Sequence, residues 1–221
     1  MASCLDGICY YHTQKKTRWW LITAAIVVTV LTTVVLVVLR FAVTPHIVTN
    51  VEDARLNAFA FSTTQGSAII GTREPFFSYD LAVALAVRNP NRAMSIEHTK
   101  PLVATIVFHD RRLRNLTIVD GGYRHGPGKD EPLCFNAAGE IPAFRLGDAA
   151  ADDYRKQNAT GLFKVEMRLS GEITYKGIAI AKKSKLSLSC PLALQLAPPG
   201  PEIVEFHEVT CEHVNEDQIH F

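Results

Sequence analysis

The chain has 221 residues, a formal net charge of +1, 48% hydrophobic and 20% charged residues, and five cysteines. That composition excludes a polytopic transporter, a disordered charged-tail protein and a disulfide-dense miniprotein, but leaves room for one membrane span. Most of the excess apolarity sits in one early block.

From Trp19 to Leu39 the chain reads WWLITAAIVVTVLTTVVLVVL, 21 residues with no charge, Pro or Gly. As a helix this run is roughly 31 Å long, the thickness of a bilayer's hydrocarbon core. Its thirteen Leu, Ile and Val residues supply roughly −4 to −8 kcal/mol of insertion free energy, more than four Thr and two Ala offset. A cleavable signal has a shorter apolar core and a small-residue cleavage site. Here the run is longer and ends in branched residues followed by Arg40-Phe41, so it reads as a retained signal anchor. Lys15, Lys16 and Arg18 precede the span, whereas Arg40 is the only Lys or Arg from there until Arg55. The positive flank stays cytosolic, and Trp19 and Trp20 suit an aromatic belt at that interface. The expected order is a cytosolic tail over 1–18, a transmembrane helix over 19–39, a juxtamembrane connector over 40–53, a β-sandwich over 54–195 and an acidic tail over 196–221.

That topology places Cys4 and Cys9 in the cytosol and Cys134, Cys190 and Cys211 in an oxidising compartment. Three cysteines allow one bridge, with three pairings open; Cys190–Cys211 is the candidate carried forward. Two glycosylation sequons, at Asn115 and Asn158, lie on the same side.

Beyond the span the pattern changes to alternation. Phe77, Tyr79, Leu81, Val83, Leu85 and Val87 occupy every second position, the mark of a half-buried strand that Asn89-Pro90-Asn91 ends. Leu102 to Phe108 form a second run, closed by a turn at His109-Asp110. Phe163 to Leu169 form a third, stopping at Gly171, and Leu186 to Leu192 a fourth, stopping after Pro191. Shorter candidates lie at Leu56 to Phe61, Leu113 to Val119, Ile141 to Leu146 and Glu172 to Lys176. Gly121 to Pro132 reads as a loop, the segment after Pro198 as a partly ordered tail with a terminal strand near Ile203 to Phe206, and no amphipathic helix is expected beyond the membrane. Seven or eight short strands with turns between them predict a mainly β fold, an immunoglobulin- or fibronectin-like sandwich.

Catalytic signatures do not emerge. There is no nucleophile elbow, Walker loop or dinucleotide fingerprint, and no C-x-x-C pair. His207-Glu208-Val-Thr-Cys211 approaches a zinc-protease motif but has Cys where a second His is needed. His109-Asp110 are neighbours with no activated Ser to complete a triad. The expectation is a non-enzyme without cofactor or metal. Arg111, Arg112 and Arg114, with Lys182 and Lys183, are candidates for contact with anionic headgroups or polysaccharide, and the cation-free tail could lie against them. The aromatic interleaving of a nucleic-acid binder is absent.

Phe77-Ser-Tyr79-Asp80-Leu-Ala-Val-Ala-Leu-Ala-Val-Arg88-Asn89-Pro90-Asn91, following a cytosolic stub and one span, resembles the plant harpin-induced-like and non-race-specific-disease-resistance-like membrane proteins. The likeness continues through Gly161 to Gly171, Tyr175-Lys176 and the Lys-rich approach to Cys190, covering roughly Val51 to Leu194. Their exoplasmic part is a late-embryogenesis-abundant type-2 (water-stress and hypersensitive response) domain. The resemblance implies a sandwich, a plasma-membrane location, protein partners in immune or stress signalling, contact with cell-wall polysaccharide or lipid, and no catalysis; Tyr79, Asp80, Asn89, Pro90 and Asn91 carry the motif. This sequence has Ile96-Glu97-His98 where the family often has aromatic residues, which implies a different partner for that face or none, and it lacks a hydrophobic C-terminal tail for a lipid anchor. A lipid-binding or membrane-tethering module is the alternative reading.

Overall fold

A computed structural model of the chain describes residues 3–42, 47–63, 75–92, 94–177, 181–197 and 206–214. The chain divides into two compact units, Met1–Pro45 and His46–Phe221.

In the first unit, helix α1 runs over Ser3–Ala42. Its segment Arg18–Val37 has a mean hydropathy of 2.5 with no side chain buried, so the helix is long and apolar enough to span a membrane. Val, Ile and Thr are mediocre helix formers in water, but in hydrocarbon every backbone polar group must bond within its own segment. The Thr hydroxyls follow the same rule. Thr23, Thr29, Thr32 and Thr33 each share theirs between carbonyls three and four residues back, at 2.7–3.0 Å. No hydroxyl of that stretch is left seeking water.

The second unit is a β-sandwich. Its elements, in order, are β1 (Val48–Thr63), β2 (Pro75–Arg88), β3 (Ser95–Phe108), β4 (Arg111–Val119), β5 (Arg124–His125), β6 (Asp130–Pro142), a 3-10 turn (Ala143–Arg145), helix α2 (Asp148–Thr160), β7 (Leu162–Lys176), β8 (Ala181–Gln195), β9 (Val209–Thr210) and β10 (Glu212–His213). One sheet has the order β6-β2-β1-β9 and the other β10-β8-β7-β3-β4, with β5 paired to β3. The alternating residues of β2 and β7 put one face of each sheet inward: Phe77, Leu81 and Leu85 meet Phe163, Met167 and Leu169 in one core. At one end of that core Phe59 lies edge-on to Phe77, Phe108 and Phe163, with ring centroids 4.7–5.1 Å apart. Tyr154 of α2 closes over them, stacking on Phe163 and donating its hydroxyl to the Phe59 carbonyl. Each such ring buries on the order of 150–250 Å², so this cluster is a large share of the stabilising burial.

Both lateral rims of the sandwich are bridged. On the β4/β6 side, Tyr79 reaches from β2 to donate to the Leu113 carbonyl at 3.1 Å, and the Arg114 guanidinium donates to the Ala138 carbonyl of β6. On the β1/β8 side, β9 pairs with β1 at Asn50 and Val51, while β10 pairs with β8 at Leu188 and Ser189. Cys211, between those two short strands, is joined by a disulfide to Cys190 of β8, with Cα atoms 4.4 Å apart.

Several sequence expectations change. β1 starts at Val48, inside the stretch read as a connector, because its apolar positions are masked by irregularities at Val51/Asp53 and Leu56/Ala58 that interrupt strict alternation. Helix α2 exists beyond the span; only Ala150 is buried along it, too little to write a periodic stripe, and Tyr154 supplies the rest of its packing. Ile141 to Leu146 is not a strand, since β6 ends at Pro142 and the chain turns. Gly121 to Pro132 is not all loop: it contains β5 and the start of β6. β7 runs through Gly171 because β3 bulges there. A Cβ at that position would meet the Pro101 carbonyl at 3.4 Å, and a hydrogen does not. β8 continues past Pro191 to Gln195, since β10 ends its pairing by Ser189 and the missing N–H faces an open edge. In the acidic tail, the strands among the described residues are β9 and β10, which lie on β1 and β8; Ile203 to Glu205 and residues 215–221, where the expected contact with the basic runs would fall, lie outside the described residues.

Candidate functional site

The Asn-Pro-Asn motif is a knot. Asn89, fully buried at the end of β2, donates through Nδ2 to the carbonyls of Met94 (2.8 Å) and Gly126 (3.0 Å) and accepts from the Asn91 N–H through Oδ1 (3.0 Å). Asn91 Oδ1 accepts from the Met94 N–H at 3.0 Å, while its carbonyl accepts from Gly128. Pro90 sits between them and needs no donor. These bonds tie the β2–β3 turn to the segment before β6, so the motif organises one end of the sandwich. Tyr79 is the buried rim clasp already described, and burial pushes its phenol pKa up. Asp80 stands on the outward face between Ala58 and Ala138, its Oδ1 shielded from solvent and without a hydrogen-bond partner among the described residues.

His109 and Asp110 make the two-residue β3–β4 hairpin, both with positive φ (47° and 57°), as a type I′ turn requires. They edge a recess of about 580 Å³ floored by Val107, Val165 and Leu192. A polar chain runs around it. Ser189 Oγ donates to Glu166 at 2.6 Å, Arg168 pairs with Glu166 through Nε and Nη2 at 2.9 and 2.8 Å, and Arg168 Nη2 lies 3.5 Å from Asp110. His109 Nδ1 lies 3.5 Å from Asp153. The Arg168 bonds, helped by Ser189, hold the Glu166 carboxyl below the usual carboxylate range despite partial burial. Around the recess, among the described residues, the Ser189–Glu166–Arg168–Asp110 chain and the His109–Asp153 contact present hydrogen-bonding and charged groups.

The basic residues separate. Arg112, opposite Val107 and hence level with Glu166 of β7, lies at one end of its sheet, whereas Lys183 pairs with Thr174 eight positions farther along, roughly 26 Å away. Lys182 and Lys183, as neighbours on a strand, point to opposite faces. Arg114 is committed to the β6 rim and Arg111 follows the hairpin turn. What the fold gathers instead, on the outward face of the β7/β8 sheet, is Lys164, Arg168, Lys176, Lys183 and Lys185 with Glu166 and Glu172. The opposite outward face, on β1, β2 and β6, carries Ala58, Ala60, Ala82, Ala84, Ala86 and Ala138. Alternating Lys and Glu in the third sequence run was the available signal for the charged face; it could be found only by asking which side of the strand faces out.

Asn115 on β4 and Asn158 on α2 are both exposed. Cys134 is a free, exposed thiol on β6. The disulfide removes Cys211 as a metal ligand, and among the described residues no cluster fits a metal ion. Arg18 lies at the start of the apolar segment; the side chains of Lys15 and Lys16 lie outside the described set. Sequence reasoning missed His98 and His125, both fully buried and in contact through their rings. Ile96-Glu97-His98 is thus no partner face: Ile96 and His98 point inward, and Glu97 is paired with Arg124 and Lys176.

No family model and no curated protein matches the chain. Among solved structures, it is similar to a crystal structure of a protein from Archaeoglobus fulgidus, at 11% identity and a TM-score of 0.30, over 66% of this chain and 99% of that one. It is likewise similar to an X-ray structure of a Northeast Structural Genomics Consortium target, at 11% identity and a TM-score of 0.30, over 70% of this chain and 92% of that one. Likeness at this level carries no argument about function.

Proposed function

We propose that this is a non-enzymatic, single-pass plasma-membrane protein of the plant defence and stress-response kind, with a cytosolic N-terminus and an exoplasmic sandwich that presents a surface for protein or cell-wall contact. One observation carries the reading: an apolar helix with every described side chain in its span exposed occurs in the same chain as a disulfide-stapled β-sandwich. The first is stable in a bilayer and the second in an oxidising compartment, which together favour an exoplasmic domain. The resemblance around Tyr79 to Asn91 supplies the defence and stress context. The charged outward face of β7 and β8 is the surface offered to a partner, because it gathers Lys164, Glu166, Arg168, Glu172, Lys176, Lys183 and Lys185, groups that give directional recognition.

The lipid-binding alternative needs an apolar groove leading between the sheets. Phe59, Phe77, Phe108 and Phe163 fill that space at one end, which counts against it, while the bridged β1/β8 rim keeps a recess of about 550 Å³ lined by Ala54, Leu194, Phe206 and Val209.

Proximity labelling from a tag at the C-terminus, in infected and healthy plant tissue, tests the reading. The expected result is labelling of extracellular and plasma-membrane proteins, changing on infection, with endoglycosidase-sensitive carbohydrate at Asn115 or Asn158. Labelling confined to cytosolic proteins would overturn both the orientation and the role.

A further inference from the structure

The most unusual chemistry in the described residues is a buried pair of histidines that neither the rims nor the charged face uses. His98 of β3 and His125 of β5 are both 0% exposed, with Nε2 atoms 2.9 Å apart. His125 Nδ1 lies 2.9 Å from Glu131 Oε2, off the line of a full hydrogen bond, and the Tyr123 hydroxyl donates to the same oxygen at 2.7 Å. Among the described residues, His98 Nδ1 is buried with no partner. The neutral arrangement that uses both contacts has the His125 Nδ1–H toward Glu131 and the His98 Nε2–H donating to His125 Nε2. An added proton then has two destinations. On His98 Nδ1 it meets no acceptor; on His125 Nε2 it sets two N–H groups head-on. Neither is tolerated at this burial, so charging the pair means separating it.

We propose that the His98–His125 pair is an acid-operated latch: protonation releases the 120–125 segment from β3, while the Asn89–Asn91 knot and β6 hold the residues that follow, and bares the β3 backbone edge around Ile96 and Glu97. The topology specifies what opens. β4 covers the β3 edge only from Leu102 to Phe108, and β5 covers Ile96 and Glu97. The rest of that cover is the pair of backbone bonds His98 N–H to Tyr123 O (2.9 Å) and Gly122 N–H to His98 O (2.6 Å).

The surrounding charges do not stabilise an imidazolium elsewhere. Glu97 is taken up by Arg124 and Lys176 at 2.8 and 2.7 Å, and Asp130 is 3.4 Å from Arg88. From β7, Tyr175 lies opposite Ile96 with its hydroxyl accepting from the Ile47 N–H, while Glu172 is held by Thr99 and Lys100. Glu131 is the one carboxylate in contact with the pair among the described residues, and it is already shared between His125 and Tyr123. Burial, reinforced by the neighbouring His125, pushes the His98 imidazole from 6.5 to about 4. Burial also lowers His125, against the pull of Glu131. The sign follows: depressed folded-state values favour the neutral pair, so the latch is fully closed above about pH 6.5 and weakens as pH falls toward 4.

Hydrogen exchange on the full-length chain in detergent micelles, from pH 7 to 4.5 and corrected for intrinsic exchange, reads the latch directly. The expected result is a loss of protection in 120–125 on the order of 10²-fold, with residues 128–131 and β7 residues 163–169 unchanged, and no such loss in the His98→Gln/His125→Gln double variant. Equal acid sensitivity in that variant, or a segment still protected at pH 4.5, overturns the proposal. Should the double variant fail to fold, the wild-type histidine ring signals decide. Two silent through pH 6.5, moving only as the segment opens, support the latch; ordinary titration near 6.5 with the segment still closed rejects it.

Discussion

The two rims of the sandwich are closed by different means. At β4/β6 the closure is non-covalent: one phenol donor and one guanidinium, each bonded to a backbone carbonyl of the facing edge. At β1/β8 it is a covalent clip, a few residues of chain paired to both sheets and bolted by Cys190–Cys211. The first rim is held by those two hydrogen bonds, and at the second β1 also meets the end of β8 directly, the Ala197 N–H donating to the Leu56 carbonyl at 2.7 Å. The second has edges bridged by β9 and β10 of two residues each, and so short a strap cannot hold against its chain entropy without a crosslink. Redox sensitivity therefore belongs to one rim and not to the other.

Three substitutions sharpen that contrast, beginning with one that should ignore it. Phe59→Ala removes the ring central to the aromatic cluster and should cost about 3–5 kcal/mol of stability by denaturant unfolding. Because it empties the shared core, the loss should be the same with or without reductant. Replacing Cys190 and Cys211 together by Ala should cost about 3 kcal/mol, the entropy of a loop with 21-residue separation. It should lower the melting temperature by about 6–12 °C. Reductant should then have no further effect on the variant; a large residual effect would place the redox sensitivity elsewhere. Tyr79→Phe, which deletes only the rim hydroxyl, should cost about 1 kcal/mol and leave reductant sensitivity intact. Gly139 belongs to the same clasp, since a Cβ there would stand 2.6 Å from the Tyr79 hydroxyl.

Legibility in the sequence followed the strength of local periodicity. β2 was readable almost residue by residue because its pattern alternates without interruption from Phe77 to Val87. β1 was shortened by its irregularities, and β7 was cut in two at Gly171, because a glycine looks like a terminator until a partner strand's bulge is known to need the space. α2 escaped because one buried Ala and one Tyr do not make a helical stripe. The candidate site was less legible still. Runs such as Arg111-Arg112 and Lys182-Lys183 read as patches along the chain, whereas strands send neighbours to opposite faces and register carries the runs to opposite ends of the sheet.

The sequence by itself determined the partition of the molecule: one apolar run matched to hydrocarbon and an alternating remainder matched to a two-sheet core. Solvent preference is written residue by residue and needs no knowledge of the fold. Tertiary structure decided everything that depends on pairing at long sequence separation. It joined Cys211 to Cys190 and brought the Arg114 guanidinium onto the β6 edge. It also set two fully buried imidazoles, 27 residues apart, Nε2 to Nε2. Those contacts are set by strand order and register, which local composition does not encode.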